Sequence, residues 1–270
     1  MPDPSQVTLF LTGWVYPTDP SISVSIQQDP ARAGFGIQPP SLEVPDGQGG
    51  WKTASPYIGF PGGKTKTIAV DLTGQLAPHD GRVRIVTSME LCWDQVFFTV
   101  DEAPVEVRET PLELVSSDLH FRGCSARVTH PQHGPERYDY SHVDPMIYSS
   151  MGGKFTRYGD VQELLTVQDD RMVVLGCGDE CTLLFKAPPA PPEGWTRDFL
   201  IHNVGWDKDC NPQNTYAKTV EPLPYAGMKS YPPSEPFPDD ELHRSYLKTY
   251  QTREQSDVQF RRFVFLRGRP

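Results

Sequence analysis

Apolar side chains recur at every second position through much of this chain, the spacing that places them on one face of a half-buried strand. Val7, Leu9 and Leu11 follow that period up to Gly13, and Ile22, Val24 and Ile26 follow it between Pro20 and Pro30. Ile68, Val70 and Leu72, then Val83 and Ile85, then Val105 and Val107 repeat it. Further on the alternation gives way to short continuous apolar runs: Met172–Leu175, Leu183–Phe185, Phe199–Ile201 and Phe263–Leu266. Runs of this kind predict strands buried on both faces. Turn signals separate the segments, among them Pro45-Asp46-Gly47, His79-Asp80-Gly81 and Gly152-Gly153.

Helical spacing is scarce. Asp160 can cap a short turn carrying Val161, Leu164 and Leu165 at i, i+3 and i+4. A second short helix is predicted after Pro238, where Asp239, Asp240 and Glu241 suit the positive end of a helix dipole. It would line Leu242, Tyr246 and Tyr250 along one face. The 28 prolines point the same way, because each fixes φ and removes a backbone donor, which excludes long uninterrupted helices.

These patterns predict an all-β fold, a β-sandwich in two sandwich-like halves over residues 1–110 and 111–220. A proline- and tyrosine-rich arm over 221–270, with a short helix and a terminal strand, is expected to wrap over them. Pro188–Pro192 reads as a stiff extended connector and Pro104–Pro111 as a seam.

At 270 residues, 37% hydrophobic and 22% charged, the chain is long and apolar enough for a substantial core. A net charge of −10 argues against nucleic acid as partner, since phosphate binding draws on basic surfaces. Arg261, Arg262, Arg267 and Arg269 around Phe263–Leu266 read as a strand with a charged end. No run approaches the roughly 20 apolar residues of a transmembrane helix. The start Met1-Pro2-Asp3-Pro4-Ser5 lacks the basic region of a signal peptide. Five cysteines, Cys92, Cys124, Cys177, Cys181 and Cys210, are an odd number, so they cannot all pair within the chain. A disulfide from Cys177 or Cys181 to Cys210 is one arrangement the spacing leaves open.

Several motifs carry candidate chemistry. Gly59–Thr65 superficially suggests a phosphate loop, but the glycine spacing fails and the following residues, Thr67–Leu72, read as a strand rather than a helix. A hairpin turn is the expectation there. Asp207, Asp209, Asn211 and Gln213 place oxygen ligands at alternate positions, as a calcium loop requires. Lys218 stands where an EF-hand needs its bidentate glutamate, so the alternatives are a sandwich-loop calcium site and an Asx-rich turn. His130, His133 and His142 could supply imidazoles, although no cysteine or carboxylate completes a familiar metal spacing. HExxH, GxSxG and GxGxxG are absent. Trp14, Trp51, Trp206, Tyr225 and Tyr231 are the candidate contacts for a partner or ligand, since aromatics at a loop rim can anchor a protein or stack on a sugar.

Several stretches carry a resemblance to a known family: Leu11–Asp19, Pro40–Gly47, Gly59–Thr67, Arg82–Ile85, Met89–Asp94, Thr156–Asp160, Gly194–Leu200, Gly205–Asp209 and Thr219–Pro224. Together they resemble the C-terminal module of bacterial FG-GAP/ASPIC-UnbV propeller proteins and tetratricopeptide-repeat proteins. That module has no assigned activity. The resemblance implies a large multi-domain setting and an extracytoplasmic location, periplasmic or extracellular. It also implies an acid-rich loop at 207–213, which this chain interrupts with Cys210. The leading functional expectation is a non-catalytic binding or assembly module that docks onto a partner protein or larger complex. The alternatives are a carbohydrate-binding module and a metal-dependent enzyme whose site assembles only in the fold.

Overall fold

A computed structural model describes residues 5–16, 31, 37–128, 134–144, 151–208 and 218–256. The protein is all-β. The described residues form thirteen strands, one single-turn 3-10 helix at Gln162–Leu164 and one α-helix, α1 (Glu241–Thr249). The chain divides into two compact units, Met1–Arg108 with Arg127–Asp139 and Glu109–Ala126 with Tyr140–Pro270.

In the first unit two small antiparallel sheets share a core. One has the order β4 (Lys66–Asp71), β1 (Val7–Val15), β6 (Leu91–Val100); the other has β3 (Trp51–Ser55), β2 (Ser41–Pro45), β5 (Arg84–Val86). The period-two reading of β1 is realised residue by residue, because Val7, Leu9 and Leu11 are buried while Thr8, Phe10 and Thr12 are only partly so. They meet Leu42 and Val44 of β2 and Leu72 just beyond β4, which is the contact of a two-sheet sandwich. Each such buried leucine contributes about 1.5–3 kcal/mol of burial free energy. The pairing of β1 with β6 shifts between Thr12 and Gly13, and there a side chain at Gly13 would run into the Cys92 carbonyl. Only glycine admits that approach. Asp46 turns the β2–β3 hairpin by accepting the Gln48 and Gly50 amides at 2.7 and 2.8 Å. The segment Gly59–Thr65 is not a hairpin turn: it joins β3 in one sheet to β4 in the other, a crossover between layers.

The second unit holds a three-stranded sheet ordered β11 (Gly159–Asp160), β7 (Leu114–Phe121), β12 (Asp179–Phe185), and a ribbon of β10 (Gly153–Phe155) with β13 (Arg253–Gln255). A further ribbon pairs β8 (Cys124–Val128) with β9 (Arg137–Asp144), and the boundary between the units falls within both strands. Leu119, Phe155, Val161, Leu164, Val220, Leu223 and Tyr246 form the second unit's core, so part of the proline-rich arm supplies core residues. Asp160 accepts the Gln162 amide at 2.9 Å at the start of the 3-10 turn. Asp240 caps α1, accepting the His243 amide at 2.9 Å. Of the expected helix face, Tyr246 is buried and Tyr250 half-buried, whereas Leu242 is exposed.

Three apolar segments lie outside the strands, and a fourth is a strand without the expected burial. Val105 and Val107 are exposed and lie outside any strand. Met172–Leu175 also lies outside the strands, because side chains satisfy its backbone: Val174 N–H donates to Thr156 Oγ1 at 2.7 Å, and Met172 C=O accepts from Tyr246 Oη at 2.8 Å. Leu183–Phe185 does form strand β12 but is exposed, not buried on both faces. Its cross-strand partners include Ser117 and Ser116, which offer no apolar cover. Phe199–Ile201 lies outside the strands and is described with the site below. The strands expected at Ile22–Ile26 and Phe263–Leu266 lie outside the described residues.

Candidate functional site

Residues 196–208 lie outside every strand and helix, yet this stretch is among the most apolar exposed segments of the chain. Leu200 is 97% exposed, Ile201 71% and Phe199 68%, and Val204 and Trp206 are exposed as well. The expectation that Phe199–Ile201 is a buried strand is therefore overturned: no described strand pairs with it and no sheet covers it. Soluble surfaces rarely leave a contiguous apolar strip of this kind uncovered unless it meets something.

The C-terminal end of the strip is held by side-chain contacts. The Trp206 ring packs against Tyr231 with centroids 5.4 Å apart. Tyr231 Oη donates to the Pro222 carbonyl at 3.0 Å, and burial, assisted by Glu221, pushes the phenol above its ordinary pKa. Lys208 Nζ lies 5.2 Å from the Tyr231 ring centroid and donates to the Val220 and Glu221 carbonyls, both at 3.1 Å. Burial pulls this ammonium below its ordinary value, with the Glu221 carboxylate opposing. Val220 and Leu223 enter the core of the unit, so the strip is anchored through Lys208 and Tyr231 to a buried segment. Tyr225 lies in the same arm, edge-on to Phe237 at 6.2 Å, with its hydroxyl donating to the Glu235 carbonyl at 3.3 Å.

The other aromatic candidates sit in the first unit. Trp14 is half-buried on β1. Trp51, on β3, has the Arg84 guanidinium 4.5 Å and that of Arg82 5.8 Å from its ring centroid, and Arg84 is paired with Glu43. Its ring is thus engaged by the protein's own cations. The structure brings Trp206 and Tyr231 together in the second unit, while Trp14 and Trp51 belong to the first. Of the calcium candidates, Asp207 is exposed, and Asp209, Asn211 and Gln213 lie outside the described residues, as do His130 and His133. His142 is exposed, 3.9 Å from Asp144. Among the described residues no group of three or more His, Cys, Asp or Glu is placed to hold a metal ion.

The first unit also carries an open groove of about 500 Å³ bordered by Tyr57, Ile58, Val70, Asp71 and Gln75. Tyr57 is exposed there, while Asp71 is held below the usual carboxylate range by the Thr73 hydroxyl and amide.

Two clusters were not legible from spacing. The Gln251 side-chain amide, buried, donates to Thr156 Oγ1 at 2.9 Å and to Tyr246 Oη at 2.6 Å, and its Oε1 has no partner among the described atoms. Beside it Arg253 forms an ion pair with Asp179, a carboxylate only 1% exposed that also accepts from Tyr158 Oη at 2.9 Å. Thr156 and Gln251 are 95 positions apart and Asp179 and Arg253 are 74, so no local motif announces these pairings. On the exposed face of β7 and β12, His120 stands 3.0 Å from Asp118 and 3.5 Å from Glu180. Comparison with protein-family models, with curated proteins and with solved structures gives no match.

Proposed function

We propose that this chain is a non-catalytic docking module that binds a protein partner through the strip Phe199–Trp206. The observation that supports the reading is the strip itself, a run of large apolar side chains outside every strand and helix, uncovered yet held at one end by Trp206, Tyr231 and Lys208. Backbone that belongs to no ladder offers donors and acceptors to a strand of another protein, and its side chains offer apolar anchors. The partner is accordingly a protein that presents an unpaired sheet edge beside an apolar face. Full burial of five such side chains is worth on the order of 10 kcal/mol. Association costs about 4 kcal/mol or more, which leaves about 6 kcal/mol at most and places the strip's own affinity at tens of micromolar or weaker. The family resemblance, carried into the same proposal, puts this docking in an exported, multi-domain setting.

The test is site-specific photocrosslinking in the source cell with p-benzoylphenylalanine in place of Leu200, whose near-complete exposure makes the change harmless to folding. The expected result is one discrete adduct that disappears when Phe199 and Ile201 are both changed to Asp, with no adduct from the same probe at Glu241, an exposed helix position. Identical labelling from both positions, or none from Leu200, overturns the proposal.

A second reading, carbohydrate binding, is favoured by the groove at Tyr57, where an exposed ring stands beside the polar groups of Asp71 and Gln75. A glycan array is its test: binding lost in Tyr57→Ala supports it, and an array without a hit removes it.

A further inference from the structure

We infer that Cys124 and Cys177 are a redox couple that closes to a disulfide across two turns of the second unit. Cys124 opens β8 and Cys177 lies in the turn that precedes β12, 53 positions further along, and their Sγ atoms are 3.5 Å apart. Neither Cys177 nor Cys181 is so placed by its spacing to the other; the pairing arises because the backbone brings two distant turns together.

That approach is built into the chain. The Gly178 carbonyl accepts both the Arg122 and the Gly123 amides at 2.9 Å, which clamps the residues beside each cysteine. Gly178 has φ of +85°, and a Cβ there would meet the Phe121 ring at 2.7 Å and the Gly123 Cα at 3.3 Å. The turns are therefore at van der Waals contact, and a side chain at Gly178 would separate them. Closing a gap of 3.5 Å to an S–S bond of about 2.05 Å needs roughly 1.5 Å of movement shared between two side-chain torsions. Both cysteines are half-buried, so a small disulfide can reach them.

Cys181 is the nearest competitor in sequence, but it sits on β12 opposite Leu119, away from the turn. Burial, reinforced by the Asp118 charge, keeps its thiol above the ordinary pKa and suppresses its thiolate. Cys92 belongs to the first unit.

With oxidised glutathione as the oxidant the chemistry balances by two exchanges. One cysteine thiolate attacks a glutathione sulfur, forming a mixed disulfide and releasing one glutathione thiolate. The second cysteine thiolate attacks the protein sulfur of that mixed disulfide, forming the Cys124–Cys177 bond and releasing the second glutathione. Two protein thiols lose two protons and two electrons, and one glutathione disulfide becomes two thiols.

The experiment equilibrates the full chain in glutathione buffers of graded oxidation, blocks remaining thiols by alkylation, and maps the digested peptides by mass spectrometry. The expected result is a linked pair of peptides containing Cys124 and Cys177, lighter by two hydrogens than their sum and lost on reduction. It persists in Cys181→Ser and in Cys92→Ser and is absent from Cys124→Ser. The oxidised protein is also expected to melt higher than the reduced one by about 5 °C or more, because the bond closes a long loop. Complete alkylation of Cys124 and Cys177 in the most oxidising buffer overturns the inference, as does a linkage of either to Cys181, Cys92 or Cys210. Peptide mapping of the unsubstituted protein decides the matter even where a serine variant folds poorly.

Discussion

Tyr246 offers a quantitative check on the packing of the second unit. Its ring is buried, its hydroxyl donates to the Met172 carbonyl at 2.8 Å and accepts from Gln251 Nε2 at 2.6 Å. Burial pushes the phenol from 10.0 up to about 12. An ionised oxygen there would lose its donated bond and face the Met172 carbonyl without water. Because the folded pKa lies above the unfolded one, the associated stability is complete below about pH 10 and is lost as pH rises towards 12. The change from 10.0 to about 12 is worth roughly 2.7 kcal/mol in full, and about 1.4 kcal/mol of it is gone by pH 11. Tyr246→Phe costs about 1–2 kcal/mol at pH 8, because it removes a donor to Met172 and an acceptor for Gln251. The variant has nothing to ionise at this site, so its deficit shrinks as pH rises and closes near pH 11. Urea unfolding followed by tryptophan fluorescence between pH 8 and 11.5 measures both proteins, and the difference between them removes the other ten tyrosines. A deficit that stays constant across that range refutes the reasoning.

Leu11→Ala removes a wholly buried side chain from between the two sheets of the first unit, and a loss of about 2–5 kcal/mol is expected in urea unfolding. Asp179→Asn leaves Arg253 without its countercharge; Arg253 retains some exposure, so a loss of about 2–3 kcal/mol is expected, and Asp179→Asn combined with Arg253→Met should recover part of it in the same assay. Trp206→Ala is expected to change Tm by little more than Leu200→Ala does while abolishing the crosslink from position 200, which calorimetry and gel analysis check together.

The sequence made some of this architecture legible and left some of it hidden, for physical reasons. The alternation of Val7, Leu9 and Leu11 determined which face of β1 is buried, because period two leaves only one choice of inward residues. Asp240 announced the start of α1 by the chemistry of capping. An apolar run, by contrast, records a demand for cover and says nothing of where the cover comes from. Phe199–Ile201 and Leu183–Phe185 read as buried strands on that ground, yet one has no ladder and the other faces serines. Gly59–Thr65 carried the chemistry of a turn, but turn residues do not state whether the chain returns to the same sheet or crosses to another. Trp206 and Tyr231 were both visible as aromatics, and only the fold reveals that their rings are in contact. The pairings of Thr156 with Gln251 and of Cys124 with Cys177 depend on contacts across 95 and 53 positions, which no local spacing encodes.

Amide hydrogen exchange over residues 197–206 tests the docking strip most directly, comparing the isolated chain with the assembly recovered from its native source. The isolated protein should exchange there at the rates of unstructured peptide, and the assembly should slow those amides by about tenfold or more while the β1 amides stay as they were. Equal exchange at 197–206 in both samples would contradict the claim that this strip is where the partner binds.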